Sequence, residues 1–273
     1  RHNVRYLTGG YYYHFHARAA RMAQTRYLPF VGVPRASIAE AFYVCRPEER
    51  GQIQSEGVWI GQLVDAVRGT VPAAESAVRT IRERGLARGS IGVEWPFLPA
   101  DAFGALHEGL PEARFVDATA VLDELRAVKT PAELSLLRRV YEQVAEAIQA
   151  AFAAGAPGIT TAEMARAVER EITQRGAEFL YALVCAGPGR LRAPSGARWE
   201  QGRVLHIDAG GAVRDYLADI CRMGCLGRPS PLAQELHAAC LDVQGRVRRL
   251  VRAGLPCGDL LREGERAIGA HRD

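Results

Sequence analysis

Residues 205–222 read LHIDAGGAVRDYLADICR, two apolar segments on either side of a glycine-containing turn. Each segment has the character of a β-strand and carries one aspartate, Asp208 in the first and Asp219 in the second. A hairpin centred between Val213 and Arg214 would place these aspartates directly opposite each other, with their side chains on one face about 5 Å apart. The stretch therefore predicts antiparallel strands that bring two carboxylates together.

Two carboxylates so close repel each other. Such a pair persists in a sheet only if one carboxyl holds a proton, a cation lies beside it, or a metal ion binds between the two. The alternative is that Asp208 caps the turn and Asp219 faces solvent or pairs with Arg222. Spacing alone favours this alternative, because aspartate pairs near turns are common. Asp215, in the same turn, is explained by ordinary turn chemistry.

Other candidate residues carry weaker signals. His206 lies two residues before Asp208 and could support it, although a buried, hydrogen-bonded histidine is the more common explanation. His14 and His16 alternate on a segment that could be a wet strand face, although an ordinary surface strand is the more common explanation. The chain has no G-x-S-x-G, no strand-preceded G-x-G-x-x-G and no P-loop, which argues against serine hydrolases, dinucleotide enzymes and P-loop NTPases.

The second half of the chain has clear helix punctuation. Residues 130–133 read TPAE, with Thr130 as the N-cap, proline at the first helical position and glutamate closing a capping box, and this helix is expected to end near Gly155. A second capping box at residues 160–163 opens another helix, and Ser230 with Pro231 opens a third that ends at residues 254–256. Between them, the predicted strands are Phe179–Cys185, Val204–Asp208 and Tyr216–Cys225. This order predicts an α+β domain over residues 126–273.

The first half alternates short strand-like and helix-like stretches, which predicts an α/β domain over residues 1–125. The predicted strands are Phe30–Val33, Ala41–Val44, Ser90–Val93 and Arg114–Asp117. The predicted helices are Gly61–Val67, Ala74–Arg84 and Pro99–Leu106.

Composition narrows the class of protein. The chain has 273 residues, 48% of them hydrophobic and 24% charged, which indicates a globular protein. The 35 basic and 31 acidic residues give a net charge of only +4, spread along the chain, so nucleic-acid binding gets little support. No apolar run approaches the roughly 20 residues that span a bilayer. Six cysteines without C-x-x-C spacing predict free thiols and a cytoplasmic location.

Three blocks of the chain resemble the creatinase, prolidase, aminopeptidase P and methionine aminopeptidase family of metallopeptidases. Residues 3–9 (NVRYLTG) resemble an early motif of its N-terminal domain, residues 125–133 (LRAVKTPAE) its interdomain signature, and residues 208–222 its first metal-ligand block. The resemblance implies a creatinase-like α/β domain followed by an α+β pita-bread domain, incomplete at its C-terminal end. With the resemblance, metal binding becomes a better explanation of Asp208 and Asp219 than a turn cap and a solvent-facing side chain.

What the family does supplies further expectations. Its members hold two divalent ions (Mn, Co, Zn or Fe) with two Asp, one His and two Glu, and use a metal-activated water to cleave an amide bond. The resemblance implies that Asp208 chelates one ion, that Asp219 bridges both, and that Cys221 and Arg222 support these ligands. The His and both Glu have no matching positions here, and no residue is assigned as catalytic. A metal-dependent Xaa-Pro aminopeptidase or dipeptidase, commonly a homodimer, is the expected protein.

The chain also departs from the family pattern. Where the family has a substrate-contacting histidine before an x-Pro-Ser segment, this chain has Arg192 before residues 193–195 (APS), and Cys221 replaces a threonine. We expect Arg192 to pair with a substrate carboxylate through its planar fork. The departures put Xaa-Pro specificity in doubt more than metal binding.

Two alternatives remain open at this level. One is a creatinase-like or ectoine-hydrolase-like enzyme acting on a C–N bond of a small non-peptide amide, and the other is a non-catalytic pita-bread protein that binds a ligand. Only two of five expected ligands are found, the first residue is Arg1 and the end is abrupt, so the chain is expected to be a fragment truncated at both ends.

Overall fold

The computed structural model describes residues 2–11, 13, 28–189 and 191–271, which form two compact units, residues 1–132 and 133–273. His14 and His16 lie outside the described residues. The predicted boundary between residues 125 and 126 stays a prediction.

The first unit contains a three-stranded sheet and a two-stranded sheet. β1 (Phe30–Gly32) pairs antiparallel with β2 (Phe42–Cys45), which pairs in parallel with β3 (Gln62–Asp65). β4 (Ser90–Val93) and β5 (Arg114–Asp117) form a parallel pair.

The helices of the first unit follow in chain order. Among the described residues they are α1 (His2–Leu7), α2 (Arg50–Glu56), α3 (Thr70–Glu83), α4 (Ala100–Gly109) and α5 (Thr119–Ala127), with short 3₁₀ turns at Ile38–Glu40 and Pro47–Glu49.

The expectation of a helix over Gly61–Val67 was wrong, because residues 62–65 form strand β3. Four residues with only Leu63 and Val64 apolar are too few to distinguish the helix period from the strand period, and pairing with the fully buried β2 makes them a strand. The other predicted strands and helices of this unit are confirmed with boundaries that differ by a few residues, and helices α1, α2 and α5 were not predicted.

The core of the first unit lies on both sides of β2. Phe42 and Val44 pack in one cluster with α3 and α4, whereas Tyr43 and Cys45 pack in another with Tyr11 and its neighbours. Because successive side chains of a strand point to opposite faces, one four-residue strand joins both clusters.

The second unit has the predicted order of two helices, a sheet and a helix. α6 (Pro131–Ala153) and α7 (Thr161–Gln174) precede β6 (Glu178–Ala186), β7 (Val204–Val213) and β8 (Tyr216–Cys225), which form an antiparallel sheet in that order. α8 (Pro231–Leu250) follows, and then α9 (Cys257–Gly269), which was not predicted.

The predicted caps of α7 and α8 are confirmed. The Thr160 hydroxyl accepts from the Glu163 backbone N–H at 3.2 Å, and the glutamate carboxylate in turn accepts from the Thr160 N–H at 2.9 Å. Ser230 accepts from the backbone N–H of Ala233 at 3.2 Å. Each cap satisfies backbone donors that the first helical turn leaves without a partner.

The core of the second unit lies between the sheet and helices α6 and α7. Fully buried side chains from the helices meet fully buried side chains from β7, among them Val144, Ile148, Val168, Leu205 and Ile207. One face of the sheet is therefore apolar and covered, and the other carries the polar residues of the sequence.

The assumed register of the hairpin was wrong. Val213 pairs with Tyr216, so the turn is Arg214–Asp215, and Asp208 lies opposite Cys221 while Asp219 lies opposite Gly210. Both turn residues have positive φ, 51° and 66°, the conformation of a two-residue hairpin turn. The change moves the partner of Asp208 by two residues, and an even shift keeps both aspartates on the same face.

All six cysteines are free thiols, with Cys45 and Cys185 buried. Within the described residues, no helix combines the length and the apolar character needed to cross a membrane.

Candidate metal site

The sheet of the second unit carries its polar residues on the face opposite the core. Strand alternation places His206, Asp208 and Gly210 of β7 on this face, beside Asp219 and Cys221 of β8. The alternate residues of β7, such as Ile207, are fully buried on the core face. The sequence pattern that buries one face thus leaves the carboxylates on the accessible one.

Tyr181 of β6 connects the two aspartates. Its hydroxyl donates to Oδ1 of Asp208 at 3.4 Å, and its interaction with the Asp219 carboxylate contributes to its raised pKa. Both carboxylates therefore lie within hydrogen-bond reach of a single phenol oxygen. They are diagonal rather than directly opposite neighbours on one face of the sheet.

Two glycines in β7 make this arrangement fit. A Cβ on Gly210 would lie 2.4 Å from a ring carbon of Tyr181, and a Cβ on Gly211 would lie 2.8 Å from Val144 of α6. Gly210 thus lets the phenol ring lie flat across the strand, and Gly211 lets the helix approach from the other side. The pair looked like a turn in the sequence but serves close packing on both faces.

Arg192 forms an ion pair with Asp208, its Nη2 bonded to Oδ2 of the carboxylate. The arginine side chain is 47% exposed, whereas the aspartate side chain is 18% exposed. A cation neighbour is one of the conditions under which two carboxylates tolerate each other on a sheet, and the chain supplies it. The expected contact of Arg192 with a substrate carboxylate stays a prediction.

Cys221 and Arg222 occupy different faces. Cys221 lies opposite Asp208 and its Sγ is 2.7 Å from Nε2 of His206, so these two residues form a polar pair beside the carboxylates. Arg222 lies opposite Ile207, so it is on the face of the sheet that carries the core. It is nevertheless exposed, and it donates to the Cys221 carbonyl. Only Cys221 is therefore placed on the same face as the aspartates.

Burial and the carboxylates on this face raise the pKa values of two neighbouring side chains, Tyr181 and Cys221. Burial, and then hydrogen bonding to Asp219, raise the pKa of Tyr181 far above its ordinary value of 10.0, because a phenolate beside carboxylates is unfavourable. Burial and the Asp208 carboxylate also raise the pKa of Cys221, with Arg192 opposing them. Both side chains are therefore neutral hydrogen-bonding groups at neutral pH.

The donor chemistry suits a divalent cation. Two carboxylates converge on one point of an accessible face, and oxygen ligands of this kind bind Mn²⁺ and similar ions. Among the described residues, no group of three or more His, Cys, Asp or Glu side chains is placed to hold a metal ion. Asp208 and Asp219 thus fit as part of a metal site whose coordination needs further ligands.

Sequence reasoning found both aspartates and Arg192 but missed Tyr181. Tyr181 lies opposite Gly210 across a register shift in β6, between Phe179 and Tyr181. A glycine within a strand indicates that a bulky side chain of a neighbouring strand packs over it. Only the pairing of the strands identifies that side chain as Tyr181.

Two family models match the chain and divide it between them. Residues 1–128 match the creatinase/prolidase N-terminal domain, and residues 135–272 match metallopeptidase family M24. The second match contains Asp208, Asp219 and Arg192.

Individual proteins that are similar to this chain are also named as peptidases. An uncharacterized hydrolase/peptidase of Sinorhizobium fredii is 24% identical over 71% of this chain and 52% of its own length. An Xaa-Pro dipeptidase of Pyrococcus furiosus is 28% identical over 51% of this chain and 42% of its own length. The matches thus span about half of these relatives.

A solved structure confirms the expected fold class. The X-Pro aminopeptidase of Thermotoga maritima superposes with a TM-score of 0.80 at 19% identity, covering 94% of this chain and 72% of that one. The chain is a creatinase-type N-terminal domain followed by a pita-bread domain, and it belongs to metallopeptidase family M24.

Proposed function

We propose that the protein is a metal-dependent hydrolase that cleaves the amide bond of Xaa-Pro peptides, with Asp208 and Asp219 as ligands of the divalent ions. The observation that carries the proposal is the convergence of both carboxylates on the hydroxyl of Tyr181, within the segment that matches family M24. The family membership supports a hydrolase, and the names of several relatives support the Xaa-Pro substrate.

The chain's own residues have separate roles in this proposal. Asp208 and Asp219 hold the cations, and Tyr181 keeps the two carboxylates in place by hydrogen bonding to both. A bound divalent ion supplies Lewis-acid polarisation and makes water more acidic. Since two carboxylates do not complete the coordination of two ions, the activity also requires the His and Glu ligands that the family resemblance implies.

Arg192 is the residue we propose for substrate binding. Its guanidinium is half exposed beside the carboxylates, where a planar fork can pair with the carboxylate of a dipeptide. Replacing it with alanine is expected to raise KM for an anionic substrate while changing kcat less. An unchanged KM would show that Arg192 has no part in substrate binding.

Metal binding is the first test of the proposal. Mn²⁺ affinity of the purified chain is measured by equilibrium dialysis for the wild type and for Asp208→Asn and Asp219→Asn. Each substitution is expected to weaken binding roughly tenfold or more, because even side chains that only support ligands are worth about that much. Hydrolysis of Xaa-Pro dipeptides with and without added Mn²⁺, by a protein that also carries the His and Glu ligands, is the accompanying activity measurement.

The matched control is Asp215→Asn, which removes a carboxylate from the turn of the same hairpin. It should bind Mn²⁺ as the wild type does. If Asp208→Asn and Asp219→Asn kept wild-type affinity, or if Mn²⁺ did not stimulate hydrolysis of any Xaa-Pro dipeptide by a protein that also carries the His and Glu ligands, the proposal would be wrong.

A further inference from the structure

Both oxygens of the Asp208 carboxylate are already engaged within the chain. Oδ1 is 3.4 Å from the Tyr181 hydroxyl, and Oδ2 is bonded to Nη2 of Arg192. A neutral hydroxyl can stay beside a carboxylate that also binds a cation. A guanidinium cannot share the same oxygen with a divalent ion without strong repulsion between the two positive charges.

The backbone around Arg192 is anchored on both sides. The Arg192 carbonyl accepts from the Val184 N–H of β6 at 2.8 Å, and three residues later the Ser195 N–H donates to the Thr161 hydroxyl at 2.9 Å. The loop after β6 therefore holds the start of the arginine side chain above the sheet.

Exposure makes the ion pair one that can open. Asp208 is largely sheltered on the sheet, whereas nearly half of the Arg192 side chain is in contact with solvent. Partly exposed ion pairs contribute little net free energy, since water solvates the freed arginine well. The guanidinium can thus leave the carboxylate at small cost, but the carboxylate cannot leave the sheet.

We propose that Arg192 is a tethered counter-cation that occupies Asp208 in the metal-free protein and is displaced when a divalent ion binds. The arginine then sets the affinity of the site for metal, because each ion must compete with it for Oδ2. After displacement, the guanidinium lies at the rim of the site, where the proposed substrate carboxylate arrives. This inference rests on the proposed function, since it assumes that Asp208 is a metal ligand.

The test measures binding of Mn²⁺ alone to the full chain, by equilibrium dialysis, for the wild type and Arg192→Gln. Glutamine keeps much of the side-chain length but removes the positive charge. Removing the competitor is expected to lower the Kd for Mn²⁺ by roughly 3- to 10-fold. The matched control is Arg198→Gln, which removes the same charge from the same loop at a residue whose side chain donates to the Gly158 carbonyl. Its Kd should stay within about twofold of the wild-type value.

Thermal unfolding provides a readout that needs neither activity nor bound metal. In EDTA, Arg192→Gln should melt at a lower temperature than the wild type, because Asp208 and Asp219 lose the cation that offsets their repulsion. Added Mn²⁺ should raise its melting temperature by more than it raises that of the wild type.

The outcomes separate this inference from the proposed function. If Asp208→Asn weakens Mn²⁺ binding but Arg192→Gln binds like the wild type, the counter-cation role is wrong and the metal site stands. If Asp208→Asn has no effect, the metal site itself is wrong. Absence of detectable binding in both the wild type and Arg192→Gln would also overturn the inference.

Discussion

Two carboxyl groups of this chain sit in sheltered places and are stabilised in different ways. Asp208 has a cation, Arg192, and a phenol beside it. Glu49, in the first unit, is fully buried and accepts hydrogen bonds from the Tyr43 hydroxyl at 3.0 Å and the Arg46 N–H at 2.9 Å. Burial raises the pKa of Glu49 to about 7, since the loss of water outweighs the donors that lower it.

Glu49 should make the stability of the first unit depend on pH. Its folded pKa of about 7 exceeds its ordinary value of 4.5, so the folded state binds the proton more tightly. The stabilisation is complete below pH 4.5 and is lost as the pH rises through 7. It amounts to roughly 3 kcal/mol, at about 1.4 kcal/mol per pKa unit.

The measurement is the free energy of unfolding in urea between pH 5 and 8. Wild-type stability is expected to fall across this range, whereas Glu49→Gln, which cannot ionise, should lose much less. Glu56→Gln, a change at an exposed glutamate of α2, should follow the wild-type curve. Parallel curves for the wild type and Glu49→Gln would contradict the assignment.

At the scale of an element, β7 shows how one strand serves both the core and the site. Its odd-numbered residues from 205 to 209 are buried against the helices, and its even-numbered residues reach the polar face. Gly210 and Gly211 follow directly, where a side chain on either face would collide with Tyr181 or Val144. The strand therefore needs small residues where its neighbours on both faces come nearest.

Gly210→Ala should disturb the site through packing alone. The new methyl group would overlap the Tyr181 ring, so the ring must rotate away and lose its hydrogen bonds to the aspartates. We expect a loss of roughly 1–3 kcal/mol in the free energy of unfolding, the usual cost of overpacking. Urea unfolding measures the loss, and Gly196→Ala, where no atom lies within 4 Å of the added Cβ, is the control.

A second substitution shows whether the overlap is the cause. In the Gly210→Ala background, Tyr181→Ala removes the ring and should cost less than it does in the wild type. Strictly additive effects of the two substitutions would mean that the loss comes from elsewhere in the strand.

At the scale of the whole molecule, each unit has its own hydrophobic core. In the first unit, two clusters flank β2, and in the second, one cluster lies between the sheet and helices α6 and α7. Val44 and Val144 are equivalent members of these cores, both almost completely buried. That the protein is a cytoplasmic homodimer stays a prediction.

Matched core substitutions should act on one unit at a time. Val44→Ala and Val144→Ala each remove two methyl groups from a packed core, with an expected cost of roughly 1–3 kcal/mol. Hydrogen exchange followed by mass spectrometry should show faster exchange in residues 28–132 for the first variant and in residues 133–271 for the second. Equal acceleration across both units in either variant would contradict separate cores.

The sequence by itself determined the features that depend on neighbouring residues. A capping box at α7 and a serine N-cap followed by proline at α8 act through contacts within four residues, so the starts of both helices were readable directly. Strand alternation likewise put Asp208 and Asp219 on one face, a result that survived the register error because the error was even. The family blocks covered both units, which is why the fold class was predictable.

The tertiary structure decided what depends on distant residues. Only strand pairing turned residues 62–65 into β3, because four residues are too few to show a hydrophobic period of their own. The turn at Arg214–Asp215 has no glycine to mark its positive φ, so packing of the two strands sets the register. The contacts of Asp208 with Tyr181 and Arg192 join residues 27 and 16 positions away. Such contacts form only once the sheet and its loop are in place, and therefore no local pattern in the sequence could predict them.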